Sequence, residues 1–228
     1  MAQEATGGDF HHHPLDHSTQ SIRLVEILPK HLSSSSLVQC VMRPAMINAK
    51  YVCLSYRWGA PSPCQQVLIN NKPFKVRQNL FDFLSMTYEN QSSSQFYWID
   101  ALCIDQSNMA ERNYQVVQMG EIYARAVCVH IWLGSNQALL PFLRILQKVE
   151  EEWTFREWGI VRSQHNALES FICRNEYWNR AWIVQEIFLA RAVVVWANAV
   201  QFNFESLHWT LNYSDLSTIN SIKSEGQI

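Results

Sequence analysis

The chain has 228 residues and a formal net charge of −2, with 48% hydrophobic and 17% charged residues. This length fits one domain, and the apolar fraction is large enough for a hydrophobic core, which excludes a disordered protein. The near-neutral charge argues against binding nucleic acid mainly through its phosphates. No apolar stretch approaches the ~18 residues of a membrane-spanning helix, so we expect no membrane span.

The two ends of the chain are polar and differ from the middle in composition. Residues 1–20 are rich in histidine but hold no acidic or cysteine partners at ligand spacing, so we predict a disordered tail and no metal site. We predict one domain over residues 21–213 and a polar tail over residues 214–228. The six cysteines are scattered singly without a CxxC motif, which favours a reduced, cytoplasmic setting.

The hydrophobic pattern predicts strands that alternate with helices. We expect two hairpins, one over 22–28 and 37–42 and a smaller one over 67–69 and 74–76. We expect further strands over 51–56, 96–104 (interrupted by Asp100), 127–133 and 192–197, and a polar loop over 91–95. We expect helices over 78–88, 109–126, 138–153, 167–174 and 177–189. Asn108 and Glu111 fit a capping box at the start of the helix over 109–126. This alternation predicts an α/β domain with a mainly parallel sheet flanked by helices, an added N-terminal hairpin and inserted helices.

Glu186 is a carboxylate on an apolar helix. If 177–189 is helical, Glu186 shares one face with three large apolar side chains, Trp178, Trp182 and Leu189. A desolvated carboxylate can serve as an acid, a base or a charge stabiliser. The alternative is an ion pair with Arg180, Arg112 or Arg191, because buried charges are usually paired. If an arginine seals Glu186 in the core, the catalytic interpretation fails.

Further polar groups lie near predicted strand ends or on a buried helix face. Arg112 falls on the face of Val116 and Met119, where a cation needs an anion: either Asp100 or Asp105, or a ligand phosphate or carboxylate. Asp100 and the residues after 51–56 lie near the carboxyl ends of predicted parallel strands, where α/β proteins bind ligands. Asp100 could bind a ribose hydroxyl or orient Arg112, and Trp58 could stack on a base or anchor its loop.

Several blocks of sequence, taken together, resemble the fungal heterokaryon-incompatibility (HET) domain. These blocks are YVCLSYRWG at 51–59, FYWIDALCIDQ at 96–106, ER at 111–112, QM at 118–119, IYARA at 122–126, IWLG at 131–134 and WNRAWIVQE at 178–186. The resemblance covers about residues 20–205. It implies a cytoplasmic fungal domain that triggers programmed cell death when genetically different hyphae fuse. A glycine usually follows the last strand, whereas this chain has Ala197, Asn198 and Ala199.

The HET domain is in turn distantly similar to Toll/interleukin-1 receptor (TIR) domains, which have a flavodoxin-like parallel sheet. In this chain LSYR at 54–57 resembles the first-strand motif, and WIVQE at 182–186 matches the WxxxE helix. The glutamate of that helix is catalytic in members that cleave NAD at the nicotinamide–ribose bond. The similarity implies that Glu186 is catalytic and that four residues line a nucleotide pocket: Ser55, Tyr56, Arg57 and Trp58.

Two functional hypotheses follow from these residues. In the first, the domain hydrolyses NAD as a substrate and needs no cofactor; Glu186 stabilises the oxocarbenium-like charge, an arginine (Arg57 or Arg112) holds the diphosphate, and a tryptophan (Trp58 or Trp182) stacks on a ring. In the second, the domain is a non-enzymatic module that assembles with itself or with another incompatibility protein, and Glu186 forms an internal ion pair. A third possibility is an inactive family member.

Overall fold

The structure is a computed structural model that describes residues 8–16, 18–33, 35–90, 95–147 and 154–203. The strands of this part of the chain are β1 (Ser21–Ile27), β2 (Gln39–Met46), β3 (Val52–Tyr56), β4 (Cys64–Ile69), β5 (Lys72–Arg77), β6 (Phe96–Trp98), β7 (Val129–Trp132), β8 (Val193–Ala197) and β9 (Val200–Asn203). Its helices are α1 (Gln78–Asn90), α2 (Asp100–Cys103), α3 (Met109–Arg125), α4 (Leu140–Leu146), α5 (Phe155–Ser163), α6 (His165–Ile172) and α7 (Ile183–Phe188). The structure is therefore α/β, as predicted.

All nine of these strands belong to one sheet, in the order β5-β4-β2-β1-β6-β3-β7-β8-β9. Parallel pairs join β3 to β6, β3 to β7 and β7 to β8 at the centre, and β2 to β4 near one edge. The other four pairs are antiparallel and include the predicted hairpins β1–β2 and β4–β5. The sheet is thus mixed, not mainly parallel. The two-residue turns that join β4 to β5 and β8 to β9 allow only antiparallel pairing.

Helices cover both faces of the central strands. On β6, Tyr97 contacts Phe83 of α1 with ring centroids 5.6 Å apart, whereas the next residue, Trp98, contacts Tyr123 of α3 at 5.7 Å. Since successive side chains of a strand point to opposite faces, α1 and α3 lie on opposite sides of the sheet. This sandwich explains why residues 51–56 are a continuous apolar run: β3 is buried along its whole length.

Two predicted elements are wrong in a way that affects the candidate site. The strand predicted over 96–104 ends at Trp98, and residues from Asp100 form the short helix α2. The helix predicted over 177–189 is instead a 3₁₀ turn (Glu176–Asn179), an extended break at Arg180, and the six-residue α7. The side chain of Asn175 accepts a hydrogen bond from the backbone of Tyr177 and starts the 3₁₀ turn, a local interaction that competes with a continuous helix.

The predictions around α3 are confirmed, but the first helical residue of the inner face is not Arg112. Asn108 accepts a hydrogen bond from the backbone N–H of Glu111, 3.1 Å away, and caps α3. Glu111 is buried and forms an ion pair with the buried Arg23 of β1. Arg112 is exposed. The buried face of α3 therefore begins with Glu111 and Gln115 in place of Arg112 and Val116, whereas Met119 is buried as predicted.

The described part of the predicted N-terminal tail packs against the domain. The ring of Phe10 contacts Phe74 of β5 with centroids 5.8 Å apart, and its backbone N–H donates to Pro73. The His12 ring lies 2.7 Å from the carbonyl oxygen of Leu102, and the His13 carbonyl accepts from Arg23. We call residues 8–16 the N-terminal strap, because they join β5, α2 and β1.

Within the described ranges, no helix combines the length and apolar character that a bilayer crossing requires. The same residues contain no group of histidine, cysteine and acidic side chains that could hold a metal ion. No disulfide joins the cysteines of these residues.

Candidate functional site

A buried polar cluster joins β3 to the segment around α7. Ser55 is the fourth residue of the buried strand β3, and its hydroxyl donates to Oε2 of Glu186. The Tyr177 hydroxyl lies 2.6 Å from the same Ser55 oxygen. Because Ser55 has one hydroxyl hydrogen and donates it to Glu186, Tyr177 acts as a donor to Ser55. All three side chains are buried.

Arg180 closes this cluster from the solvent side. Its Nη1 lies 2.8 Å from Oε2 of Glu186 and its Nη2 lies 2.7 Å from Oε1, so the ion pair is bidentate. Nη1 also donates to Ser55 at 2.9 Å. Burial lowers the pKa of Arg180, but attraction to Glu186 outweighs burial, and the pKa ends above its ordinary value. Both oxygens of Glu186 are therefore occupied, and the guanidinium remains charged.

The break before α7 makes this ion pair possible. Arg180 has an extended backbone, with φ −79° and ψ 138°, and Trp182 starts the new helix. The chain direction changes between the two, so Arg180 meets Glu186 across the turn. Trp182 is 48% exposed and Leu189 is 45% exposed, whereas Glu186 is fully buried. The predicted tryptophan-lined face is therefore wrong: the environment of Glu186 is a polar cluster.

A second polar pair, Trp58 with Asp100, lies just after the carboxyl ends of the neighbouring strands β3 and β6. The indole Nε1 of Trp58 donates to Oδ2 of Asp100 at 2.8 Å, and the backbone N–H of Ala101 donates to Oδ1 at 2.7 Å. Burial raises the pKa of Asp100 to about 6, although the bond from Trp58 and the positive charge of Arg180 act in the opposite direction. Trp58 thus anchors its loop, and Arg77 stacks over its ring at 5.1 Å.

Arg57 lies apart from both polar groups, beside a cavity of about 430 Å³. The cavity is at the carboxyl ends of β3 and β7, and its lining includes Arg57, Asn79, Trp132, Asn175 and Glu176. Arg57 and Glu176 form an ion pair at the surface. The amide of Asn79 donates to the Arg57 carbonyl and accepts from the Trp132 indole, and the amide of Asn175 donates to the Leu133 carbonyl. These polar groups are thus engaged in holding the fold.

The structure brings together some of the predicted site residues and separates others. Ser55 and Glu186 are hydrogen-bonded, and Asp100 and Trp58 form the second pair. Arg57 faces the cavity, and Tyr56 is buried in the core. Arg112 and Trp182 are exposed, so neither has the buried position that the sequence predicted for it.

The roles of two residues in the buried cluster could not be predicted from the sequence. Arg180 was one of three arginines that could pair with Glu186, and the bidentate geometry selects it over Arg112 and Arg191. Tyr177 was placed only on the apolar helix. Its signal in the sequence is Asn175 two residues earlier, a residue that favours turns and caps.

The missing glycine after the last central strand is replaced by Asn198. Ala197 pairs with Val200, which leaves a two-residue turn between β8 and β9. Asn198 occupies its first position with φ 52°, a left-handed conformation that asparagine adopts more readily than most residues. Its side chain bridges to Asn136, accepting from the backbone N–H at 2.7 Å and donating to the carbonyl at 2.9 Å.

The fold and the strand-end clusters define an α/β domain whose sequence matches the family model described as heterokaryon incompatibility protein (HET), over residues 51–186. This match covers more than half of the chain, and the chain belongs to the HET family. It is 30% identical over 126 residues to heterokaryon incompatibility protein 6, OR allele, of Neurospora crassa. That alignment covers 50% of this chain and 18% of the relative, so the chain spans less than a fifth of the relative's length. No solved structure matches the chain.

The family match agrees with the resemblance based on separate sequence blocks. It begins at Tyr51, the residue before β3, and ends at Glu186 in the buried cluster.

Proposed function

We propose that this chain is a cytoplasmic effector domain of programmed cell death in heterokaryon incompatibility, and that it acts by assembly with itself or with another incompatibility protein. Family membership supports the biological role. The assembly mechanism depends on one observation: Glu186, the strongest catalytic candidate, is fully buried and both its oxygens are bound by Arg180 and Ser55. A carboxylate in this state is closed off from solvent by its own ion pair, so no ligand reaches it in this conformation.

The cluster of Ser55, Tyr177, Arg180 and Glu186 has a structural role in this proposal. It fixes α7 against the carboxyl end of β3, and it holds the extended break at Arg180 in place. Assembly would then use surfaces outside the cluster, such as the edge strands β5 and β9, which have no further strand beside them in the sheet of the described residues. Single contacts already reach both strands: Phe10 donates to the Pro73 carbonyl and Gln147 donates to the Gln201 carbonyl.

NAD cleavage is a second candidate, favoured by the position of Glu186 and Asp100. The parallel strands follow the order β6-β3-β7-β8, which matches the 2-1-3-4 order of flavodoxin-like sheets, and ligands of such sheets bind outside the carboxyl ends. Ser55, Trp58 and Asp100 are at these ends. In the structure Arg180 seals Glu186 in the core, so the catalytic interpretation fails for this conformation. Arg180 would have to leave Glu186 before the carboxylate could stabilise an oxocarbenium-like charge.

A paired substitution separates the two mechanisms. Glu186→Gln with Arg180→Gln removes both charges and keeps polar groups in the cluster, so that no buried charge is left unpaired. The matched control is Glu121→Gln with Arg125→Gln, which removes an exposed ion pair of α3 away from the candidate site. Each variant is expressed in fungal hyphae and scored for cell death, and purified concentrated protein is assayed for nicotinamide release from NAD.

The assembly proposal expects wild type and both double variants to kill, with no nicotinamide release. If wild type releases nicotinamide, and the Glu186 variant folds but loses both release and killing, the domain acts by NAD cleavage. If the wild-type chain does not kill, the proposed effector role is wrong for the chain on its own.

A further inference from the structure

The N-terminal strap lies in a groove formed by elements that are far apart in the sequence. The groove contacts the strap through Phe74 of β5, Leu102 of α2 and Arg23 of β1, and we call these three residues the strap groove. Three residues of the strap make these contacts: Phe10, His12 and His13. Aromatic rings and backbone hydrogen bonds therefore hold the strap, as they hold extended peptides on sheet edges.

The strap groove needs an occupant because Arg23 is buried beneath the strap. Its side chain is 4% exposed, and Nε and Nη2 both donate to the His13 carbonyl. Nη1 donates instead to Glu111 and to the Cys103 carbonyl. Without the strap, Nε and Nη2 of this buried cation would lose the carbonyl, and the loss of such an acceptor is costly. An open chain with an empty groove is therefore disfavoured.

A turn over residues 18–20 lies between the strap and β1. Oδ1 of Asp16 accepts from the backbone N–H and the hydroxyl of Ser18, at 2.9 and 2.6 Å, and the Asp16 carbonyl accepts from the Ser21 hydroxyl at 2.8 Å. The two bonds to Oδ1 are exposed, so water replaces them at low cost when the turn straightens. When extended, residues 16–21 span ~17 Å, which carries the strap away from its own groove.

We propose that the strap exchanges between two copies of the chain, so that the strap of each copy fills the strap groove of the other. The strap is the segment that the structure shows to fit this groove, and a second copy carries the same segment. The closed chain and the exchanged dimer then share the same strap contacts. They differ in two straightened turns and in the freedom lost on association, so protein concentration sets the balance between them.

This inference deepens the proposed assembly of the chain with itself and rests on it. Exchange places the Phe10 backbone of one copy at the β5 edge of the other, where its N–H donates to the Pro73 carbonyl. The dimer is two-fold symmetric and closed, because each copy gives one strap and accepts one. A rise in local concentration therefore assembles the domain without a change in its core.

Two complementary variants of the full chain test the exchange. Phe10→Ala damages the strap and leaves the groove intact, whereas Phe74→Ala does the reverse. Each closed variant has a damaged contact, but a heterodimer of the two contains one intact contact between Phe10 and Phe74. The pair energy of the two rings therefore favours the heterodimer about fivefold over its statistical share. Native mass spectrometry of an equilibrated mixture, with one variant isotope-labelled, measures this share. A statistical share, or no dimer, overturns the inference.

The turn provides a second test that does not alter the groove. Asp16→Ala removes the two bonds to Oδ1 that hold the turn closed, and each exchanged dimer has two straightened turns. The Kd of the dimer in sedimentation equilibrium should therefore be about tenfold lower for Asp16→Ala than for wild type. Asp9→Ala is the matched control in the strap and should leave the Kd unchanged. An unchanged Kd in Asp16→Ala, or a wild-type chain that stays monomeric at its highest soluble concentration, overturns the inference.

Cell death in hyphae is scored separately, so that the two proposals fail independently. If wild type kills but the heterodimer stays at its statistical share, the exchange is wrong and the effector role stands. If the strap exchanges but wild type does not kill, the effector role is wrong and the exchange stands.

Discussion

The hydrogen bond from Ser55 to Glu186 joins β3 to α7 across 131 residues of the chain. Ser55 is the polar residue in an otherwise apolar buried strand, and Glu186 is the buried carboxylate of a six-residue helix. Each would be costly to bury alone. Together with Tyr177 and the bidentate Arg180, each oxygen has a partner, so the cluster fixes the end of the sheet to the segment that precedes β8.

Breaking this cluster on one side should strongly destabilise the fold. Glu186→Ala leaves the guanidinium of Arg180, whose side chain is only 17% exposed, without its anion. We expect a loss of about 3–5 kcal/mol in the free energy of unfolding, measured by urea denaturation. The exposed pair of Arg57 and Glu176 provides the control: Glu176→Ala should cost about 0–1 kcal/mol. Equal losses in the two variants would contradict a structural role for the cluster.

Removing both charges should cost less than removing one. Glu186→Leu with Arg180→Met replaces the ion pair by apolar side chains, and such replacements of buried pairs are often neutral or stabilising. We expect the double variant to recover about 2 kcal/mol or more relative to Glu186→Ala. A double variant less stable than Glu186→Ala would show that the hydrogen bonds of Ser55, and not the unpaired charge, dominate the loss.

The N-terminal strap should contribute to stability through Phe10. Its ring is partly buried against Phe74, and the backbone beyond it accepts hydrogen bonds from the buried Arg23. Phe10→Ala should lower the free energy of unfolding by about 1–3 kcal/mol, the amount expected for an aromatic ring that is moved from a partly buried site to water. The exposed neighbour Asp9 is the control, and Asp9→Ala should leave thermal unfolding unchanged. An equally silent Phe10→Ala would mean that the strap does not stabilise the domain.

The sequence was sufficient for elements whose pattern repeats and whose ends are marked. The apolar run of β3, the two N-terminal hairpins and the cap at Asn108 all follow from local rules, and the structure confirms them. The buried face of α3 could not be predicted as fully from the sequence. Glu111 and Arg112 are adjacent charges at the first turn, and only the tertiary contact with Arg23 decides which of them is buried.

The candidate site depended on tertiary contacts that no local pattern contains. Residues 177–189 are apolar enough for one helix, but the pairing of Arg180 with Glu186 stabilises a broken segment instead. The resemblance to WxxxE located Glu186 correctly in the sequence. It did not indicate that Arg180, the third residue of the block at 178–186, would pair with the carboxylate.

The raised pKa of Asp100 predicts a specific pH dependence. Because burial raises its folded pKa to about 6 from the ordinary value of 3.8, the protonated form is favoured in the fold. The stability that Asp100 contributes is present below pH 4 and is lost as pH rises through about 6. Asp100→Asn removes this titration, so its stability relative to wild type should increase between pH 4 and pH 7.5, measured by thermal unfolding.

Asp105 provides a control of opposite sign in the same region. Burial opposes ionisation of Asp105, but hydrogen bonds from Ser107 outweigh it and hold the pKa of the carboxyl below its ordinary value. Its stabilisation is present at neutral pH and is lost at acidic pH. Asp105→Asn should therefore become less stable relative to wild type as pH rises from 2.5 to 5. If the stability of both variants relative to wild type changes in the same direction with pH, the burial of Asp100 at the strand end does not cause the pH dependence.

Asn198, which occupies the place of the expected glycine, should stabilise the fold through its side chain. Asn198→Gly relieves the backbone at φ 52° but removes two part-buried hydrogen bonds to the backbone of Asn136. Each such bond contributes about 0.5–1.5 kcal/mol, and two together outweigh the relief of the turn, so we expect a net loss in urea denaturation. Asn71→Gly is the matched control: Asn71 is exposed with φ 63°, and its replacement should change stability by less than about 0.5 kcal/mol. If both glycine variants are equally stable, the backbone conformation alone selects asparagine at position 198, and the bridge to Asn136 contributes nothing.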